Sequence, residues 1–185
     1  MACMEQLQFN NRPILLIPKI NLMRKYIVIA LLLTGQIGIA QEVTTYYLIR
    51  HAEKERIDPS NRDPQLTTKG KERAENWQNI FKEVPFDIVY STPYHRTRET
   101  AQPTANAQQL AVESYDPRNL YNTSFKEKNE GKIILVVGHS NTTPALANKI
   151  LGREEYPQID DHNNGNLYIL QVSPQGVTSQ LLSIE

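Results

Sequence analysis

Apolar residues in this chain fall into short unbroken runs, separated by stretches where they recur every third or fourth position. Thr44 to Arg50 (TTYYLIR) is β-branched and aromatic, as a buried strand requires, and the polar stretch after it, with Pro59 and Pro64, reads as a loop. From Thr67 to Val84, the residues Ala74, Trp77, Ile80, Phe81 and Val84 lie three or four apart, which predicts a helix with one apolar face. Asp87 to Tyr90 predicts a short strand and Ser91-Thr92-Pro93 a turn. A helix then runs from Arg96 to Leu110, which Pro103 should kink or interrupt. Val112 to Tyr115 is a weak strand, and Asp116 to Gly131 is a polar connection without periodicity. Lys132 to Val137 (KIILVV) is the strongest strand, and its continuous apolar character suits the middle of a parallel sheet covered on both faces. Gly138 ends it, and a helix follows from Thr142 to Leu151, with Pro144 acceptable in its first turn. Asn166 to Val172 and Val177 to Leu182 predict two strands around Ser173-Pro174-Gln175-Gly176. This alternation implies an α/β fold, expected as a three-layer sandwich with a mostly parallel central sheet flanked by helices.

The N-terminal part has a different pattern. Residues 23–41 read MRKYIVIALLLTGQIGIAQ: two basic residues, an apolar run, then small residues around Gly38-Ile39-Ala40. That is the order of a secretory signal, assigned to residues 23–40 with cleavage after Ala40. The apolar run falls short of the roughly 20 residues of a membrane span. Met23 is therefore read as the start, residues 1–22 as an upstream extension from a mis-assigned start, and residues 41–185 as the exported domain. The expected location is periplasmic or secreted, with no stable membrane anchor after signal removal.

Composition narrows the function. A chain of 185 residues suits one domain, and 20 basic residues balance 20 acidic ones, so no global field draws it to nucleic acid. Four of the basic and one of the acidic residues precede residue 41, leaving the exported part at a net −3. Cys3 is the single cysteine, which excludes a disulfide scaffold, a thiolate zinc site and a CxxC redox pair. A cysteine-free exported part also fits an oxidising compartment.

In open α/β sheets the chemistry lies beyond the carboxyl ends of strands. The residues there are Arg50-His51-Ala52-Glu53, Ser91 to Arg96, and Gly138-His139-Ser140. From these segments two histidines, His51 and His139, and two arginines, Arg50 and Arg96, converge in the predicted fold. Arginine offers a planar fork of donors for phosphate oxygens, and neutral histidine offers a nucleophilic or proton-transferring nitrogen. The segments YLIRHAE, LTTKGKERA, STPYHRTRETA and VVGHS, in that order from Tyr46 to Ser140, resemble the four blocks of the histidine phosphatase superfamily, also called phosphoglycerate mutase-like. The resemblance implies that His51 is the phosphorylated nucleophile and that Arg50, Arg96 and His139 hold the phosphoryl oxygens. It implies no cofactor and no metal, and among the small members it points to the phosphohistidine phosphatase SixA type. Ala52 replaces the family's glycine after the nucleophile, and Ile57 stands where many members carry a polar pocket residue. The segment Ala111 to Lys132 is too short for a large cap. Asp116 is the expected proton donor, with Glu53 and then Glu113 as alternatives, while His95 and His162 are left outside the site.

The expected function is therefore an exported phosphomonoester hydrolase acting on a small phosphorylated substrate or a phosphoprotein. A phosphomutase of the same superfamily is one rival, and a non-catalytic phospho-ligand binder is the other.

Overall fold

The computed structural model describes residues 42–184. Within them are strands β1 (Thr44–Arg50), β2 (Ile88–Ser91), β3 (Val112–Ser114), β4 (Ile133–Gly138), β5 (Asn166–Ser173) and β6 (Gly176–Ser183). The helices are α1 (Thr68–Ile80), α2 (His95–Ala107), α3 (Thr123–Asn129) and α4 (Thr142–Leu151). All six strands form one sheet in the order β3-β2-β4-β1-β5-β6. The first four in that order are mutually parallel; β5 runs antiparallel to β1, and β6 to β5. The expectations for residues 1–22 and 23–40 lie outside the described residues. Among the described residues no helix is long and apolar enough to cross a membrane.

Side chains alternate faces along a strand, and the two central strands are apolar on both. Tyr46, Leu48, Ile134 and Val136 enter one core with Leu146 and Ile150 of α4. Ile49, Leu135 and Val137 enter the other with Trp77 of α1 and Ala101 and Ala105 of α2. Helices therefore cover both faces, which makes the three layers. Each large side chain withdrawn from water in these layers stabilises the fold by roughly 1.5–3 kcal/mol.

Helix α1 begins where Thr67 caps it, its hydroxyl accepting from the Gly70 backbone N–H at 3.0 Å. It ends at Ile80, and Phe81 and Val84 pack from the turn beyond rather than from the helix. Gly70 lies against the chain leaving β1: a Cβ there would stand 2.1 Å from the Glu53 carbonyl oxygen. Helix α2 continues through Pro103, its buried Ala101, Thr104 and Ala105 holding the turn that the proline weakens. The polar connection after β3 contains α3, which the sequence pattern does not predict. Asn122 caps it, accepting from the Phe125 N–H at 2.8 Å, and buried Asn129 closes it by donating to the Phe125 carbonyl at 2.8 Å. Phe125 packs between Tyr46 and Tyr90.

Candidate active site

Parallel pairing of β1 with β4 sets Arg50 opposite Gly138. His51 and His139, each one residue beyond, therefore emerge side by side at the carboxyl edge of the sheet, with ring centres 5.5 Å apart. Arg96 reaches the same place from the first turn of α2. The four side chains lie around a cleft of about 480 Å³, whose wall also includes Lys54, Tyr94, Arg118 and Asp161.

Every member of the quartet is fixed by the protein. Arg50 is buried and donates from Nη1 to the carbonyls of Asp160 (2.8 Å) and Asn163 (2.9 Å), and from Nη2 to Asp161 Oδ1 (2.7 Å). Asn164 of the same loop donates to the His51 carbonyl at 2.8 Å. The His51 ring places Nδ1 2.8 Å from the Ala52 carbonyl oxygen. A carbonyl can only accept, so Nδ1 carries the proton and Nε2 keeps its lone pair. Buried Ala52 in turn donates its N–H to Thr100 Oγ1 at 2.9 Å. Around His139, Arg96 Nη2 lies 3.4 Å from Nδ1, and Thr92 Oγ1 lies 2.9 Å from Nε2. A guanidinium can only donate, which makes Nδ1 the acceptor and Nε2–H the donor to Thr92 in this arrangement. The Arg96 guanidinium also stacks on Tyr94, 4.4 Å from the ring centre, and donates to the Arg62 carbonyl at 3.2 Å.

Both imidazoles are held neutral. Burial, followed by the nearby charges of Arg50, His139 and Arg96, lowers the His51 pKa to about 3, against the opposing effect of the Ala52 carbonyl. Burial, then Arg96, Arg50 and Lys54, lowers that of His139 to about 4. Two cationic donors remain unsatisfied: the Nε atoms of Arg50 and Arg96 are buried without an acceptor. Leaving such donors unpaired costs on the order of 1–3 kcal/mol each, so the cluster is short of an anionic acceptor.

The first two of the expected proton donors are placed elsewhere. Glu53 turns toward α1, accepting from Arg73 Nε at 3.0 and 3.1 Å with Lys69 at 3.5 Å. Its burial raises the pKa, but the Arg73 and backbone hydrogen bonds outweigh that and leave it below the ordinary value. Asp116 is exposed and pairs with Arg118 Nε at 3.1 Å; the side-chain and backbone hydrogen bonds from Arg118 lower its pKa. It lines a second hollow of about 220 Å³ with Tyr121 and Phe125, not the cleft of His51. Ile57 is 90% exposed. His95 is exposed beside Asp63, and His162 beside Asp160. Sequence reasoning missed Thr92, Asp161 and Asn164, which orient the quartet, and Lys54. The last three sit in polar stretches that read as loop, and only Arg50's burial 110 residues away gives the Asp160–Asn164 loop its role. Among the described residues no group of three or more His, Cys, Asp or Glu side chains could hold a metal ion.

The model of the histidine phosphatase superfamily (branch 1) matches residues 46–117, a stretch that includes Arg50, His51 and Arg96. Over that stretch the chain is similar to the histidine phosphatase superfamily. His139 lies beyond the matched stretch and is delivered by the β1–β4 register, so the fold completes the quartet through its sheet. The fold is shared with the protein histidine phosphatase SixA complexed with tungstate (TM-score 0.61, 16% identity, covering 75% of this chain and 96% of that one). It is also similar to the phosphoserine phosphatase of Entamoeba histolytica in complex with 3-phosphoglyceric acid (TM-score 0.56, 22% identity, 76% and 95% covered). A third likeness is to the alpha-ribazole phosphatase of Shigella flexneri (TM-score 0.57, 18% identity, 76% and 96% covered). Among curated protein sequences none matches the chain.

Proposed function

We propose that this protein is an exported, metal-independent phosphomonoesterase that works through a phosphohistidine at His51. One observation carries the reading: a buried, neutral imidazole with its Nε2 lone pair free stands among two arginines whose buried donors lack acceptors. Phosphoryl transfer needs positioning and neutralisation of three equatorial oxygens; Arg50 and Arg96 are fixed for that task, and His139 joins them as a neutral donor once an anion takes the place of Thr92 at its Nε2–H. His51 Nε2 attacks phosphorus in line, the bond from phosphorus to the leaving oxygen breaks, and the electron pair departs with that oxygen. Water then attacks the phosphohistidine, releasing phosphate and restoring the imidazole. Donors held in place before the reaction stabilise the developing charge without reorganisation.

A mutase must keep water from its phosphoenzyme. Here the chain between β3 and β4 contributes only the short α3, which packs on the sheet through Phe125, so hydrolysis is favoured. The expected substrates are small phosphorylated molecules or a phosphoprotein, since the similar folds include phosphatases named for both. The test is hydrolysis of p-nitrophenyl phosphate in the presence of a chelator. Turnover that survives chelation and vanishes in His51→Ala supports the reading. Retained turnover in His51→Ala, or restoration by a divalent ion after chelation, overturns it. Export is tested by N-terminal sequencing of the protein recovered outside the cytoplasm, with Gln41 expected as the first residue.

A further inference from the structure

Among the described residues, one cation in the cleft wall has no hydrogen-bond or ion-pair partner. Lys54 lies three residues after His51, and its backbone is clamped: it bridges Leu66 in antiparallel fashion, Glu55 N–H donates to the Gln65 carbonyl and Thr67 N–H to that of Glu53, both at 2.9 Å. Its side chain lines the cleft with Arg50, His51, Arg96 and His139. The carboxylates around it are committed. Glu53 is bound by Arg73 and Lys69, Asp161 by Arg50 and Arg56, and Asp63 by Arg96.

We infer that Lys54 is a further phosphoryl-binding residue, which adds to the donors that Arg50 and Arg96 bring to the cleft. The inference rests on the phosphatase reading above. With both histidines neutral, the cleft wall carries Arg50, Lys54, Arg96 and Arg118 against Asp161 alone, an excess that suits a phosphoryl dianion. Partly desolvated cations without a counter-charge are costly, and a phosphoryl oxygen removes that cost. The electrostatic neighbours of Lys54 identify where the ammonium acts. Burial, then Arg96 and Arg56, lowers its pKa, Asp161 opposes this, and Arg50 adds to it; Lys54 in turn lowers that of His139. Three members of the quartet thus share its field. An ammonium is a compact point charge on a flexible stem, so it can follow the phosphoryl group toward the transition state while the two guanidinium forks stay fixed.

The test measures tungstate binding calorimetrically for the wild type, Lys54→Met and Lys54→Arg, with thermal melts to establish folding. Steady-state kinetics on p-nitrophenyl phosphate and on a substrate with a second anionic group accompany the binding. Lys54→Met is expected to weaken tungstate tenfold or more and to lower kcat/KM on both substrates alike, and Lys54→Arg to recover most of each. Tungstate affinity within twofold of wild type in Lys54→Met overturns the inference. So does a loss confined to the doubly anionic substrate, which would place Lys54 on the leaving group. Lys54→Gln replaces Lys54→Met if the latter does not fold. A wild type that hydrolyses nothing yet binds tungstate in a Lys54-dependent way would refute the phosphatase reading and support this one. A wild type that hydrolyses nothing and does not bind tungstate overturns both.

Discussion

His51 Nδ1 and the carbonyl oxygen of its own neighbour, Ala52, are 2.8 Å apart, and that contact selects the tautomer of the imidazole. Because Ala52 donates its N–H to Thr100, the carbonyl is itself fixed. Under the proposed mechanism the attacking nitrogen is therefore Nε2. A quenched reaction should contain an acid-labile, base-stable phosphoenzyme with phosphorus on Nε2 of His51, assignable by mass spectrometry and phosphorus NMR. His51→Ala should abolish the label and lower kcat/KM by roughly 10³-fold or more. Label on Nδ1 or on a serine would contradict the assigned tautomer.

Arg96 contributes its plane as well as its charge. The guanidinium stacks on Tyr94, reaches His139 and donates to the Arg62 carbonyl, contacts that lysine cannot reproduce together. Arg96→Ala is expected to cost about 10²-fold in kcat/KM, and Arg96→Lys to recover less than a tenth of the wild-type value. Wild-type kinetics in Arg96→Lys would show that charge alone suffices.

Elements whose pattern is set by local composition were legible in the sequence. TTYYLIR forms β1 with the bounds expected, and Thr142 to Leu151 forms α4 in the same way, because an unbroken β-branched run or a consistent helical face is a local property. Helix α3 was not legible: its seven residues hold one large apolar side chain, Phe125, and it is held by a cap at Asn122 and by packing on Tyr46 and Tyr90 from distant strands. Pro103 does not interrupt α2, whose neighbouring Ala101, Thr104 and Ala105 are buried. Around the site, Arg50, His51, Arg96 and His139 could be named from their places after strands together with the four-block resemblance. The supports could not, because Thr92 meets His139 across 47 residues and Asp161 meets Arg50 across 111.

The acid expectation changes with these placements. Asp116 and Glu53 both sit in ion pairs with lowered pKa values and neither lines the His51 cleft, so neither is poised to hold a proton at neutral pH. Leaving groups that depart as stable anions should then be favoured. The wild type is expected to hydrolyse p-nitrophenyl phosphate at least 10²-fold faster than an alkyl phosphate. Asp116→Asn and Glu53→Gln should each change that ratio by less than about threefold. A selective loss on the alkyl phosphate in Asp116→Asn would return that residue to the role of acid.

The neutral state of the two histidines also has a consequence for stability. An unfolded histidine titrates near 6.5, whereas the folded values are about 3 for His51 and about 4 for His139. Between those limits the unfolded chain binds more protons than the folded one, so lowering the pH favours unfolding. The stability associated with the neutral rings is fully present above about pH 6.5. It is lost progressively as the pH falls toward the folded values, by up to about 1.4 kcal/mol per pH unit and histidine. Asp161 acts in a lower window: its carboxyl is held well below the usual range by hydrogen bonds from Arg56 and Arg50. Its share is lost only below its unfolded pKa of about 4. Urea unfolding between pH 7 and pH 4.5 therefore reports mainly on the histidines, and comparison with His51→Asn cancels what carboxylates such as Glu53 contribute near the lower limit. The wild type should lose more stability over that interval than His51→Asn, the difference approaching about 2–3 kcal/mol as an upper bound. If both proteins lose stability equally, His51 is not buried in its neutral form, and the free Nε2 lone pair on which nucleophilic attack depends would not be present at acidic pH.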